Sequence, residues 1–82
     1  LDNTIETHIR DPLGGALDRV FRFHNRSKSW SFYDADPIMQ DYNTLKTIEN
    51  HQAYWIRVNK DVNAVLNGRT MWLYHGWNLV AY

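Results

Sequence analysis

Histidine is the side chain of this sequence best suited to bind a transition metal or to exchange protons near neutral pH. The chain contains four histidines, His8, His24, His51 and His75. No two of them have the close spacing of a ligand pair, and the chain has no cysteine that would complete a zinc site. The sequence therefore predicts no metal centre, and we expect the histidines to lie in turns and at strand edges.

Three aspartates near Pro37 form a second group of side chains that could bind a metal or take part in a reaction. Asp34, Asp36 and Asp41 supply the carboxylate oxygens that calcium prefers, but the segment lacks the glycine and the terminal glutamate of an EF-hand loop.

An acid and base pair for hydrolysis needs a cleft, and a β-rich chain of 82 residues has little room for one. No serine stands in a nucleophile elbow either. We expect no enzyme and no cofactor.

Aromatic side chains are the third group, and at 15% of the chain they must supply much of its apolar surface. A ring either fills the core or stacks on a sugar whose hydroxyls are bound by neighbouring polar groups. Both faces of the predicted strands carry aromatics, so some of the rings must be exposed or at an interface. We expect Trp55 and Trp77 in the core, and we predict a surface binding patch formed by Trp72, Tyr74 and Arg57.

Composition excludes two classes of partner. Nine basic and nine acidic residues give a formal net charge of zero, so no overall field attracts nucleic acid. The longest apolar stretches are far shorter than the roughly 20 residues that cross a bilayer. We therefore expect neither nucleic-acid binding nor membrane insertion. Eight asparagines and the lack of cysteine favour an extracellular or surface protein, and a chain that ends within a strand pattern favours a piece of something longer.

The N-terminal region predicts one short helix. Asn3 and Glu6 have the spacing of a capping box, and Ile5 and Ile9 then share one face. Pro12 and the glycine pair that follows should end this helix. A single helical turn is expected later, over residues 44–48.

Alternating apolar residues predict six strands. Residues 19–34 form an aromatic hairpin around the polar segment 25–28, and we expect its aromatic face to be buried. The members of that face are Phe21, Phe23, Trp30 and Phe32. Further strands are predicted at 52–58, 62–66, 70–74 and 77–82, with Asn67-Gly68 as the clearest turn between them.

The C-terminal sequence Gly76-Trp77-Asn78-Leu79-Val80, after the turn Leu66-Asn67-Gly68, resembles a module of secreted bacterial and archaeal surface proteins built around a Gly-Trp-Asn-Leu-Ile/Val strand. The resemblance covers most of the chain, because the short helix, the aromatic hairpin, the leucine turn and the strand Ala53-Tyr54-Trp55-Ile56 follow in the family's order. Two features depart from the family. Its usual Pro-Gly before the Tyr-Trp-Ile strand is replaced here, and its first strand comes last. The resemblance implies a structural or adhesive unit without catalytic residues.

The sequence thus predicts a single module over residues 1–82 of the α+β class, mostly β. We expect a small antiparallel sheet or sandwich of about six strands, with one short N-terminal helix and one helical turn. Its expected function is that of a non-catalytic structural or assembly module of a secreted or cell-surface protein, whose partners are other copies or neighbouring modules. The alternative is a carbohydrate-binding module that uses exposed aromatics on glycans.

The permuted C-terminal strand predicts a route to assembly. An unfilled strand position at the start of the module invites a strand from elsewhere. The last strand then either closes its own sheet, as a local hairpin with residues 70–74, or is donated to the next copy. The residues of this assembly strand are Trp77, Asn78, Leu79, Val80 and Tyr82.

Overall fold

Six strands in two antiparallel sheets make up most of the computed structural model, which describes residues 2–82. The strands are β1 Leu17–His24, β2 Ser29–Asp34, β3 Ala53–Val58, β4 Val62–Leu66, β5 Arg69–Leu73 and β6 Gly76–Ala81. One sheet has the order β2-β1-β3-β6, and β4 and β5 form a separate two-stranded sheet. The predicted class, a mostly β chain with one short N-terminal helix, is confirmed.

The N-terminal helix covers one face of the larger sheet. It runs through Glu6–Arg10 with π-helical turns, continues as an α-helix over Asp11–Leu13 and closes in a 3-10 turn, Gly14–Ala16. Gly14 ends the α-helix with a φ of 56°, a conformation that favours glycine. Ile5, Ile9 and Leu13 recur every four residues, which is why they share the buried face.

The cap of this helix differs from the predicted capping box. The hydroxyl of Thr4, and not the side chain of Asn3, accepts the N–H of Thr7 at 3.4 Å. The Asp2 carboxylate then accepts both the N–H of Thr4 and the hydroxyl of Thr7, each at 2.8 Å. The cap is thus formed by Asp2 and Thr4, the two residues on either side of Asn3.

The later helical turn also lies elsewhere than predicted. It is a 3-10 helix over Pro37–Tyr42, begun by Asp36, whose side chain accepts the N–H of Ile38 at 3.1 Å. An aspartate followed by proline is a usual helix start, because proline at the first position loses no hydrogen bond. The predicted segment 44–48 is extended, with Thr47 bridged to Thr4.

The core lies between the larger sheet and a layer formed by the N-terminal helix and the β4–β5 hairpin. On the sheet side it is lined by alternate residues of each strand. The innermost of these are Val20, Tyr54, Ile56, Val58 and Val80. The covering layer contributes the helical isoleucines together with Ala64, Leu66 and Leu73.

The sequence-based prediction assigns the wrong face of the strands to the core. Trp55 and Trp77 were expected in the core, but they are 39% and 45% exposed on the opposite face of the sheet. The hairpin aromatics lie on that same outer face, so their predicted burial is also wrong. The reason is that a β-strand offers two alternating faces, and the helix and the β4–β5 hairpin cover the one that carries the aliphatic residues.

Strand β6 pairs antiparallel with β3, from Ala53 opposite Ala81 to Val58 opposite Gly76. One of the two predicted alternatives, a local hairpin between β6 and β5, does not form, because β5 is paired with β4 across the Asn67-Gly68 turn. Asn67 has a φ of 52° and Gly68 one of 75°, as a type I′ turn requires. Pairing with β3 places Val80 and Tyr82 in the core.

Candidate binding face

Six aromatic rings cover the outer face of the larger sheet, and we call this surface the aromatic face. Its members come from β1, β2, β3 and β6, and they are Phe21, Phe23, Trp30, Phe32, Trp55 and Trp77. Strand register aligns them, since Phe21 lies opposite both Phe32 and Trp55. Leu79, 60% exposed, extends the row on β6 opposite Trp55. The elements that hold this surface are therefore the four paired strands and no loop.

The rings contact one another across the strands. Phe21 is central, with ring centroids 5.4 Å from Trp77, 6.2 Å from Phe32 and 6.3 Å from Trp30. The ring centroids of Phe23 and Trp30 lie 5.1 Å apart, with the ring planes inclined by 60°. Contacts of this kind stabilise each pair by roughly 0.5–1.5 kcal/mol beyond burial, so the rings hold each other in place without a covering layer.

A groove of about 500 Å³ crosses the aromatic face. It is lined by Phe21, Trp30, Trp55 and Trp77, and no polar side chain contributes to it. The planes of neighbouring rings are inclined by 31° for Phe21 and Trp77 and by 84° for Phe21 and Trp30. The groove is thus apolar and ridged and does not present one flat platform.

One end of the outer face is charged. Arg19 Nε lies 2.9 Å from Asp34 Oδ2, and Arg57 Nε lies 3.9 Å from Asp18 Oδ2. The two arginines face each other on neighbouring strands, and a carboxylate beside each offsets the repulsion between them. A polar groove of about 920 Å³ is lined by these four side chains and by Asn59.

The predicted surface patch is only partly assembled. Trp72 and Tyr74 are 58% and 60% exposed, so both are accessible as predicted. Trp72 lines a groove between β5 and β6, whereas Arg57 lines the polar groove at the end of the larger sheet. The described residues therefore do not bring Arg57 into one site with Trp72. Sequence reasoning missed the aromatic face because it assigned those rings to the core.

The predicted assembly strand is the edge strand β6 of its own sheet. Its outward side chains are Trp77 and Leu79, and its inward ones are Val80 and Tyr82. Asn78 ties the strand to the end of β5, since its Oδ1 accepts the N–H of Tyr74 at 3.0 Å and its Nδ2 donates to the carbonyl of the same residue at 2.9 Å.

Both edges of the larger sheet are partly occupied by polar groups of the same chain. At β6, the guanidinium of Arg69 donates to the carbonyl of Ala81 at 2.6 Å. At β2, the carbonyl of Phe32 accepts the N–H of Leu45 at 2.8 Å, and the amide of Asn43 donates to the carbonyl of Asp34. Occupied edges resist the addition of further strands. The aromatic face is consequently the more open surface of this sheet.

Several of the aspartates and histidines considered above have structural contacts. Asp34 pairs with Arg19 and accepts the N–H of Asp36, while Asp36 caps the 3-10 helix. His24 Nε2 lies 2.6 Å from the hydroxyl of Ser31. Over residues 2–82, no three metal-binding side chains of these types come together.

Searches of protein-family models, of characterised proteins and of solved structures found no match to this chain. Within the part of the chain that the structure describes, no helix combines the length and the apolar character needed to cross a membrane.

Proposed function

We propose that this chain is a non-catalytic assembly module of a secreted or cell-surface protein, and that it packs on other copies or neighbouring modules through the aromatic face. The observation that carries the proposal is the exposed area of that face. With side chains of roughly 200 Å² each, the exposed fractions of four of the rings and of Leu79, together with the half-buried Phe21 and Phe32, amount to roughly 500–600 Å² of apolar surface. That lies in the upper part of the range for the largest patch on a typical monomer, and such patches are often functional.

The chemistry of the groove favours a protein surface over a sugar. Sugar hydroxyls that lose water must find polar partners, and leaving them unpaired is costly. The groove offers aromatic rings without polar side chains, so it matches an apolar partner. A protein interface has such an apolar centre with charged groups at its rim, which is where Arg19 and Arg57 lie.

Exchange of the last strand between copies is a further route to assembly that the sequence predicts. It does not compete with packing through the aromatic face, because Trp77 and Leu79 belong to that face while Val80 and Tyr82 fill the core. In an exchanged dimer, β6 of one copy would supply the same two sets of contacts to its neighbour.

The proposal is tested by two tryptophan substitutions with nearly equal exposure. Trp30 is 57% exposed on the aromatic face, and Trp72 is 58% exposed on β5, outside it. In the organism that produces this protein, we expect Trp30→Ser to abolish incorporation of a tagged chain into assembled, high-mass material. Trp72→Ser should be incorporated normally. Equal incorporation of both variants would refute a role for the aromatic face.

Carbohydrate binding is the second candidate, and one observation favours it. Trp77 lies directly opposite Arg57 on the neighbouring strand, so one exposed ring stands beside charged groups able to bind hydroxyls. A glycan array probed with the native chain, Trp77→Ala and Trp72→Ala distinguishes the sites. Binding lost in one variant, with the circular dichroism spectrum unchanged, would assign the glycan site to that ring.

A further inference from the structure

The side chains at the two ends of the aromatic face are complementary in size. On β3, the large Arg57 stands at one end and the small Ala53 at the other, four residues apart on the same face. On β6, Trp77 and Ala81 repeat this arrangement opposite them. A second copy turned end over end places Arg57 and Trp77 of each copy above Ala53 and Ala81 of the other, so that these side chains interdigitate between the two sheets.

The charges of β1 favour the same orientation. Arg19 lies at the charged end of the face, and Phe23 lies at the other end, where its ring contacts that of Trp30. Turned end over end, Arg19 of one copy lies above these rings of the other, the arrangement in which a cation and an aromatic face attract each other.

The opposite rotation, about an axis parallel to the strands, would set Arg19 of one copy against Arg57 of the other. Like charges brought together in this way are unfavourable in an interface, and the neighbouring carboxylates reduce this repulsion without turning it into an attraction.

The area of the face is sufficient for a specific contact between two copies. Two faces of roughly 500–600 Å² each bury about 1,000–1,200 Å² of apolar surface, which reaches the lower limit for specific interfaces. A net charge of zero adds no long-range repulsion between identical chains.

We propose that two copies of this chain pack aromatic face on aromatic face about a two-fold axis perpendicular to the strands. This inference rests on the proposed function of the aromatic face and names its partner. The axis runs along the row of Phe32, Phe21, Trp55 and Leu79, so each of these residues meets its own counterpart. The product is a symmetric sandwich of two four-stranded sheets.

Sedimentation velocity of the purified chain tests whether the dimer forms. From about 1 µM to about 500 µM the native chain should pass from monomer to dimer, and Trp55→Ser and Trp30→Ser should each weaken the dimer at least tenfold. Trp72→Ser should dimerise like the native chain. Circular dichroism confirms that each variant is folded. A native chain that stays monomeric over this range overturns the inference, whereas the incorporation assay reports on the aromatic face whether or not its partner is a second copy.

Cross-linking tests the orientation, because the chain has no native cysteine. Ala53→Cys and Arg57→Cys variants are mixed and treated with a thiol-specific linker of about 10 Å, the usual spacing of packed sheets. The proposed axis predicts a cross-link between positions 53 and 57 of the two copies. A dimer that instead joins Arg57→Cys to Arg19→Cys has the other axis and overturns the proposal.

Discussion

At the scale of single residues, Tyr54 joins the core to a polar contact. Its side chain is fully buried, and its hydroxyl accepts the N–H of Glu49 at 2.9 Å. Burial raises the pKa of this phenol above its usual 10.0, and it does the same for Tyr33 and Tyr82. The folded state therefore favours the protonated form of three core tyrosines.

Alkaline pH should consequently destabilise the fold. Below pH 10.0 the tyrosines are protonated in both states, and their contribution to stability is complete. As the pH rises through that value, the unfolded chain ionises first, so the free energy of unfolding falls. Tyr54→Phe should flatten this dependence while costing about 1–3 kcal/mol at neutral pH, because the N–H of Glu49 loses its acceptor. Urea unfolding at neutral and alkaline pH measures both effects, and identical pH slopes would contradict the assignment.

Asp2 should make the N-terminal cap sensitive to acid. The N–H of Thr4 and then the hydroxyl of Thr7 bind its carboxylate, and they lower its pKa from 3.8 to about 2. Since the folded pKa is the lower one, the stabilisation is complete above 3.8 and is lost as the pH falls towards about 2. Thermal unfolding of the native chain should lose stability over this window, and Asp2→Asn should lose less. If Asp2→Asn loses as much thermal stability in acid as the native chain, this cap is not the cause of the acid sensitivity.

At the scale of elements, strand β3 shows how far the sequence determines the fold. The sequence predicts the alternation of its side chains, its neighbouring turns and its bounds to within one residue, because turn residues and strand formers are local signals. The choice between its two faces does not, because one carries Tyr54 and Ile56 and the other carries Trp55, and all three side chains are apolar enough for a core. The buried face is fixed by the helix and the β4–β5 hairpin, which are distant in sequence. The candidate site was missed for this reason.

The two faces of β3 should respond differently to truncation. Ile56 is fully buried, and Ile56→Ala should lower the free energy of unfolding by about 2–5 kcal/mol through the cavity that it leaves. Trp55 is 39% exposed, and Trp55→Ala leaves no enclosed cavity, so it should cost less than Ile56→Ala in the monomer despite its larger side chain. Calorimetry at low protein concentration measures both values. The reverse ranking would mean that the tryptophan face is the core.

At the scale of the whole molecule, the C-terminal strand completes a core that the remaining strands leave open. Deleting residues 77–82 removes Val80 and Tyr82, and we expect the truncated chain to be unfolded on its own. A synthetic peptide of residues 76–82 should restore the circular dichroism spectrum of the fold, because strand pairing with β3 does not require a continuous chain. A peptide with Val80→Ser and Tyr82→Ser is the control. Failure of the native peptide to refold the chain would count against strand exchange between copies.

The outer position of the tryptophans has an optical consequence. All four indoles of this protein are between 39% and 58% exposed, so none lies in the core whose formation defines folding. Tryptophan emission is governed by contact with water, and in the free chain it should already lie at long wavelength before any denaturant is added. Three of the four indoles stand on the aromatic face, and a partner that covers them removes that water. The intrinsic fluorescence of this molecule should therefore report coverage of the aromatic face more directly than it reports folding.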